Sequence, residues 1–266
     1  MQDRKGARRR SEVPADVLEG LHRGELQTVN LVELLAMDQH KLAIAVLPAV
    51  GLAAQLSSIE LMMAASEPLT SVQAMRAIGG VLAQKFTFPA GPRSAYTRLR
   101  NHKSDVVRCW AATALQFTEC LTLAEKLAEV RVFAADPHFG VREMAWMAVR
   151  DAIAADLEHA LELLEPWTLD PDPNIRRFAS EVSRPRGVWC KHIEPLKSDP
   201  SPALPLLEPL KSDNSKYVRD SVANWLNDAS KTRADWVKSV VGRWQKESPT
   251  SETSYIARRA LRSTKA

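Results

Sequence analysis

Apolar residues along this chain recur at intervals of three and four, and no stretch alternates apolar and polar positions for long enough to predict a strand. From Pro14 to about Ala36, Val17, Leu18 and Leu21 begin such a stripe, with Asp16 placed to cap its helix. The segment from Asn30 to Met37 repeats it. Residues 41–56 and 57–67 are strongly apolar and rich in Ala, with Pro48 as a kink or break, and residues 71–85 are predicted as a further helix. The run from Phe86 to Pro92 holds two Pro and a Gly and is expected to be a loop.

Beyond that loop the chain resembles itself. Ser104-Asp-Val-Val-Arg108, Asp136-Pro-His-Phe-Gly-Val-Arg142, Asp170-Pro-Asp-Pro-Asn-Ile-Arg176 and Ser212-Asp-Asn-Ser-Lys-Tyr-Val-Arg219 are versions of one phrase. Their Arg positions advance by 34, 34 and 43 residues, and a weaker copy at Tyr255-Ile-Ala-Arg258 follows at 39. In each, an acidic or hydroxyl side chain can accept from the first N–H groups of a new helix and Val or Ile opens the buried stripe, and in the two middle copies Pro suits the first turn. In the last clear copy that stripe is Val218, Val222, Trp225 and Ala229. Such periods, a short turn plus two helices, predict an all-α, HEAT-like repeat α-solenoid, a curved array of antiparallel helix pairs. The expected organisation is a disordered basic arm over residues 1–12, an N-terminal helical cap of irregular repeats over 13–95, and the repeat array over 96–266.

Charge adds a direction to this array. Residues 176–266 contain 18 Lys and Arg against 10 Asp and Glu, whereas residues 11–175 contain 13 against 21. A basic half beside an acidic half points to a polyanion bound on one side, with the concave face of the array as the expected DNA-binding surface. Cys109, Cys120 and Cys190 have no C-x-x-C spacing, and the six His are scattered, so neither a disulfide framework nor a metal site is expected. The N-terminal Arg and Lys are not followed by the apolar run of a signal peptide, and no stretch is apolar for the roughly 18 residues of a membrane span. A cytoplasmic protein is expected, associated with the nucleoid when on DNA.

At 100° per residue, Tyr217, Ser221, Asn224 and Asp228 fall within about 60° of one another, beside the buried stripe. Glu181 takes nearly the same angular place one repeat earlier, so two carboxylates are expected on one side of consecutive repeats, either facing a ligand or pinning a nearby Arg such as Arg184 or Arg219. The connection Ser183-Arg-Pro-Arg-Gly-Val-Trp189 then places two guanidinium groups and an indole directly after Glu181. Arg suits phosphate and Trp suits sugar or base faces, although a lone Trp also serves as a packing anchor.

The segments SEVSRPRGVW (180–189), LEPLKSDNSKYVRDSVANWLNDASK (207–231) and SYIARRALR (254–262) resemble the HEAT-like-repeat alkylpurine DNA glycosylases, the AlkC/AlkD superfamily, and its AlkC branch in particular. The likeness runs over roughly residues 100–262. It implies excision of N-alkylated purines that carry positive charge, such as 3-methyladenine or 7-methylguanine, from double-stranded DNA by a monomer without metal or organic cofactor. Carried over by position, Asp228 matches the catalytic carboxylate, with Glu181 as its acidic companion, and Trp189 matches an aromatic residue at the lesion. Arg184 and Arg186 are expected at the DNA backbone, with Arg150 and Lys231 as further DNA-binding candidates. Where the family places another carboxylate, a gapless alignment puts Trp146, with Glu143 about one turn away, so both join the residues expected near the sugar. No additional small β-domain, which some relatives carry, is expected after Arg262. Besides this enzyme, two other functions fit the residues: a HEAT protein that binds DNA without catalysis, and a protein-interaction scaffold.

Overall fold

The computed structural model describes residues 4–64, 69–187 and 190–264, and every regular element among them is helical. The helices are α1 (Ala15–His22), α2 (Leu31–Ala36), α3 (Gln39–Val46), α4 (Leu56–Ala64), α5 (Ser71–Ala83), α6 (Ala95–Arg100), α7 (Asp105–Ala114) and α8 (Leu123–Ala134). They continue with α9 (Phe139–Ala155), α10 (Leu157–Leu164), α11 (Pro173–Val182), α12 (Glu194–Ser198), α13 (Leu204–Leu207), α14 (Lys216–Ser230), α15 (Ala234–Glu247) and α16 (Ser251–Ala260). The chain packs as two compact units, residues 1–148 and 149–266.

Helix starts follow local chemistry. Asn30 accepts from the N–H of Glu33, and Thr70 and Thr122 form reciprocal caps with Gln73 and Glu125. Asp172 accepts from the N–H of Asn174, with Pro173 in the first turn of α11. Asp16 differs from expectation: α1 begins after Pro14, so Asp16 lies inside the first turn, where its charge complements the helix dipole without capping.

In the first unit α5 packs along α7. The close approach falls at Gly79, where a Cβ would lie 2.3 Å from Thr113 Oγ1 and 3.0 Å from the backbone nitrogen of Ala114. The 86–92 loop lies within this unit, its Phe86 and Phe88 packed edge-on against Tyr96 with ring centroids 5.1 and 4.9 Å away. Thr28 donates its N–H and its hydroxyl to the two oxygens of Asp105, at 3.0 and 2.6 Å, and His138 Nε2 lies 2.6 Å from the Thr28 carbonyl. These three side chains are buried, so the N-terminal segment is fastened to the helices that follow by polar bonds removed from water. In the second unit α14 packs between α11 and α16, with Val218, Val222, Trp225 and Ala229 all buried, the stripe read from the sequence.

The repeated Arg has a structural role in every clear copy. Nη1 of Arg108 donates to the carbonyls of His102 and Lys103, Arg142 to Asp136 and Pro137, Arg176 to Asp170 and Pro171, and Arg219 to Asp213 and Asn214. In two of the copies the rest of the guanidinium reaches forward. Arg108 binds both oxygens of Asp136 at 2.7 and 3.0 Å, and Arg176 binds both oxygens of Asp213 at 2.7 and 3.0 Å. Asp136 and Asp213 in turn accept from the N–H groups of His138 and Ser215. One guanidinium thus closes its own turn and sets the start of the next repeat.

Removing a partner from a buried pair leaves an uncompensated charge, which costs about 3–5 kcal/mol. Arg108→Ala is therefore expected to lower the unfolding free energy by about that amount, read from urea denaturation. Arg108→Lys is expected to recover only part of it, because an ammonium cannot reproduce the bidentate fork.

Candidate active site

The second unit brings together Glu181 at the end of α11 and Asp228 near the end of α14. Burial of the α14 stripe turns Ser221 and Asp228 toward α11, and packing of the two helices sets Glu181 opposite them. The link is direct: Ser180 Oγ donates to Ser221 Oγ at 2.8 Å, and Ser221 Oγ donates to Glu181 Oε2 at 2.7 Å. Trp225 ties α14 to the connection after α11, its indole N–H donating to the carbonyl of Ser183 at 3.1 Å.

Between the two acids lies Arg184. Its Nη1 donates to Glu181 Oε1 at 2.7 Å, while Nε and Nη2 donate to Asp228 Oδ2 at 2.9 and 2.7 Å. Arg177 Nη2 stands 3.5 Å from the other oxygen of Glu181, and its guanidinium lies over the ring of Tyr217 at 4.8 Å. Lys231 donates to Asp228 Oδ1 at 3.2 Å, and Arg186 Nε reaches the Asp228 carbonyl at 3.2 Å. Both acids are about 95% buried, at 5% exposure for Glu181 and 4% for Asp228. Burial alone pushes the Glu181 carboxyl upward, but the charges of Arg177 and Arg184 and the bonds from Ser221 and Arg184 outweigh it and hold its pKa below the ordinary 4.5. For Arg184 burial pulls downward, and the same two carboxylates more than offset it, so its pKa is raised.

The expected convergence of Glu181 and Asp228 is thus present in the fold, and it pins Arg184 at its centre, the alternative to a ligand-facing pair, whereas the resemblance implied a DNA backbone contact for Arg184. The reason is electrostatic: two carboxylates turned into one low-dielectric place draw in the nearest cation. Arg150 departs further from expectation. It is 1% exposed and donates to the carbonyls of Val182, Arg184 and Lys191 at 2.6, 2.6 and 3.2 Å, so it braces the connection after α11 from beneath and does not face a ligand. Within the same connection a Cβ on Gly187 would come 1.9 Å from Cys190 Sγ, and glycine leaves that thiol its place. Lys231, at 44% side-chain exposure, is open to a ligand. Trp189 lies outside the described residues.

In the first unit Trp146 is buried and donates its indole N–H to Glu143 Oε2 at 2.8 Å, so the two candidates near the sugar are partners of each other. Sequence reasoning missed Arg177 and Ser180. The signal for Arg177 was present, as it stands four residues before Glu181 on one helix face. Ser180 had none, because its partner Ser221 comes from another helix.

Comparison with known proteins bears mainly on the second unit. Residues 141–263 match the family of DNA alkylation repair enzymes. Among solved structures, the chain is similar to the Pseudomonas fluorescens alkylpurine DNA glycosylase AlkC bound to DNA containing an abasic site analog, with 28% identity and a TM-score of 0.65.

Residues 141–263 are similar to the AlkC/AlkD superfamily.

The match to AlkC covers 83% of this chain and 59% of that one. The chain is also similar in fold to AlkD2 from Streptococcus mutans, with 21% identity and a TM-score of 0.56 over 79% of this chain and 97% of that one, and its own fold is the expected α-solenoid of HEAT-like repeats. The uncharacterized protein YhaZ of Bacillus subtilis (strain 168) is 46% identical over 115 residues, which are 43% of this chain and 32% of YhaZ. The chain therefore spans about a third of YhaZ and about three fifths of AlkC.

Because Glu181 holds its proton more weakly folded than unfolded, its share of stability is complete above pH 4.5 and is lost as pH falls through its lower folded value. Glu181→Gln is expected to be less stable than the parent at pH 7, with the gap closing below pH 4.5, as measured by urea titrations across that range. Ser221→Ala removes a hydrogen bond to a charged acceptor and is expected to cost about 1.5–3 kcal/mol at neutral pH in the same titrations.

Proposed function

We propose that this protein is a monofunctional DNA glycosylase that hydrolyses the N-glycosidic bond of cationic N-alkylated purines, of the 3-methyladenine and 7-methylguanine type, in double-stranded DNA. The observation that carries the reading is the meeting of Glu181 and Asp228, from consecutive repeats, on a single cationic group. A place that holds one planar cation between two fixed carboxylates is suited to another, the positively charged sugar of a departing nucleotide.

An alkylated purine that is already cationic needs no proton to leave. As the C1′–N bond breaks, its electron pair goes to the base, which becomes neutral, and positive charge moves to the sugar. Asp228 stabilises that charge and orients a water, whose oxygen bonds to C1′ and whose proton passes to a carboxylate. An anion about 4 Å from a unit charge, at an effective dielectric near 20, contributes roughly 4 kcal/mol. Realised only in the transition state, this is on the order of a thousandfold in rate. Neutral bases are poorer leaving groups and gain too little from the same field to react. Glu181 adds to that field, Trp189 supplies a π face to the sugar, and Arg186 and Lys231 meet phosphates. The protein acts as a cytoplasmic monomer, on the nucleoid when bound to DNA, and uses no cofactor.

Asp228→Asn is expected to keep DNA affinity while release of 7-methylguanine from methylated duplex falls by about a hundredfold or more, measured by chromatography of the freed bases. Unchanged release removes Asp228 from the chemistry. A second reading, a DNA-binding module without catalysis, is favoured by the occupation of both carboxylates by Arg184. It predicts binding with no base released from any alkylated duplex.

A further inference from the structure

We infer that Arg184 is a specificity-determining residue: it is a resident counter-cation for Glu181 and Asp228, and a ligand enters their site by exchanging its own positive charge for the guanidinium. This rests on the glycosylase reading, in which the ligand is a cationic nucleotide.

Three features carry the inference. The side chain of Arg184 spends Nε, Nη1 and Nη2 on the two acids, so all its polar reach is directed into the site. Its backbone is held separately. Arg150 binds the carbonyls of Val182 and Arg184, and Arg184 N donates to the Glu181 carbonyl at 3.3 Å, so the guanidinium can turn away while the chain that carries it stays in place. The acids also have other supports. Glu181 keeps Ser221 and Arg177, and Asp228 keeps Lys231, so departure of Arg184 leaves the pair positioned with one cation fewer beside it.

A neutral sugar and base cannot replace that cation, and leaving its charge-assisted bonds to two buried carboxylates unmade is costly. A cationic nucleotide restores the balance, and discrimination comes from the cost of leaving the exchange incomplete. The freed guanidinium, one residue from Pro185 and two from Arg186, then has the fork geometry for a DNA phosphate. The same residue thereby links recognition of the lesion's charge to grip on the strand.

The test measures affinity for two duplexes that differ at one position, a pyrrolidine abasic analogue that is protonated at neutral pH and a tetrahydrofuran analogue that is neutral. If Arg184 competes with the ligand's charge, Arg184→Met raises the preference for the cationic duplex over the neutral one by about fivefold or more, even as a phosphate contact is lost. Arg184→Lys, which keeps one charge and loses the shared fork, is expected to raise it by about twofold and serves where the Met variant does not fold. Equal weakening of both duplexes, or a fall in the preference, overturns the inference and leaves Arg184 as a phosphate contact. Base release from methylated DNA by the unaltered protein is measured alongside. Release with an unshifted preference rejects the exchange alone, and a shifted preference without release rejects the glycosylase reading alone.

Discussion

Two turn aspartates, Asp136 and Asp213, each do two things at once. Their oxygens accept from the N–H that leads into the helix that follows, and they receive the forked guanidinium of Arg108 and Arg176 from the repeat before. A helix start buried without such partners is penalised, and so is a buried aspartate without a cation, so each group makes the other tolerable. The consequence is a fixed register between successive first helices. Asp213 is held by Arg176 near the start of α11, and α14 begins three residues later. The far ends of the same two helices carry Glu181 and Asp228, which therefore meet because their starts have been set.

At the meeting point the fold places negative charge where burial opposes it and then supplies more cations than acids: Arg177, Arg184 and Lys231 directly, with Arg186 on the adjoining backbone. The hydroxyls of Ser180 and Ser221 add direction, since a chain of two donors ends on one oxygen of Glu181 and leaves the other to Arg184. Such a site is pre-organised for a cation and does not have to rearrange its acids to accept one. Preorganised dipoles and charges of this kind are the larger part of what a protein can offer a reaction whose leaving group departs unaided.

Much of this was legible in the residues. The period of the Arg-bearing phrase gave the helix pairs, and the stripe Val218, Val222, Trp225 and Ala229 gave the buried face of α14, because both are consequences of local geometry. The angular match of Glu181 with Asp228 survived for the same reason. Arg184 and Arg150 were read as DNA-binding residues, with an Arg184 pinned by the acids as the alternative, and their partners are within the protein. Sequence spacing shows that a guanidinium is near an acid or a carbonyl only along one helix, whereas Arg184 reaches Asp228 across 44 positions and Arg150 reaches the Arg184 carbonyl across 34. The role of the repeated Arg was hidden for a related reason: half of its bonds go to backbone carbonyls, which every sequence has. The serine chain likewise depends on two helices coming into contact at one height.

The fastening of Thr28 to Asp105 and His138 bears on where this polypeptide can be divided. Asp105 has no exposure, and the N–H and hydroxyl of Thr28 take its two oxygens. A fragment that began at the first recognisable repeat phrase would carry that carboxylate into its interior with two donors missing. The early helices are thus more than a leading appendage: they complete the electrostatics of the first array helix, and the smallest self-sufficient piece containing α7 has to start upstream of Thr28.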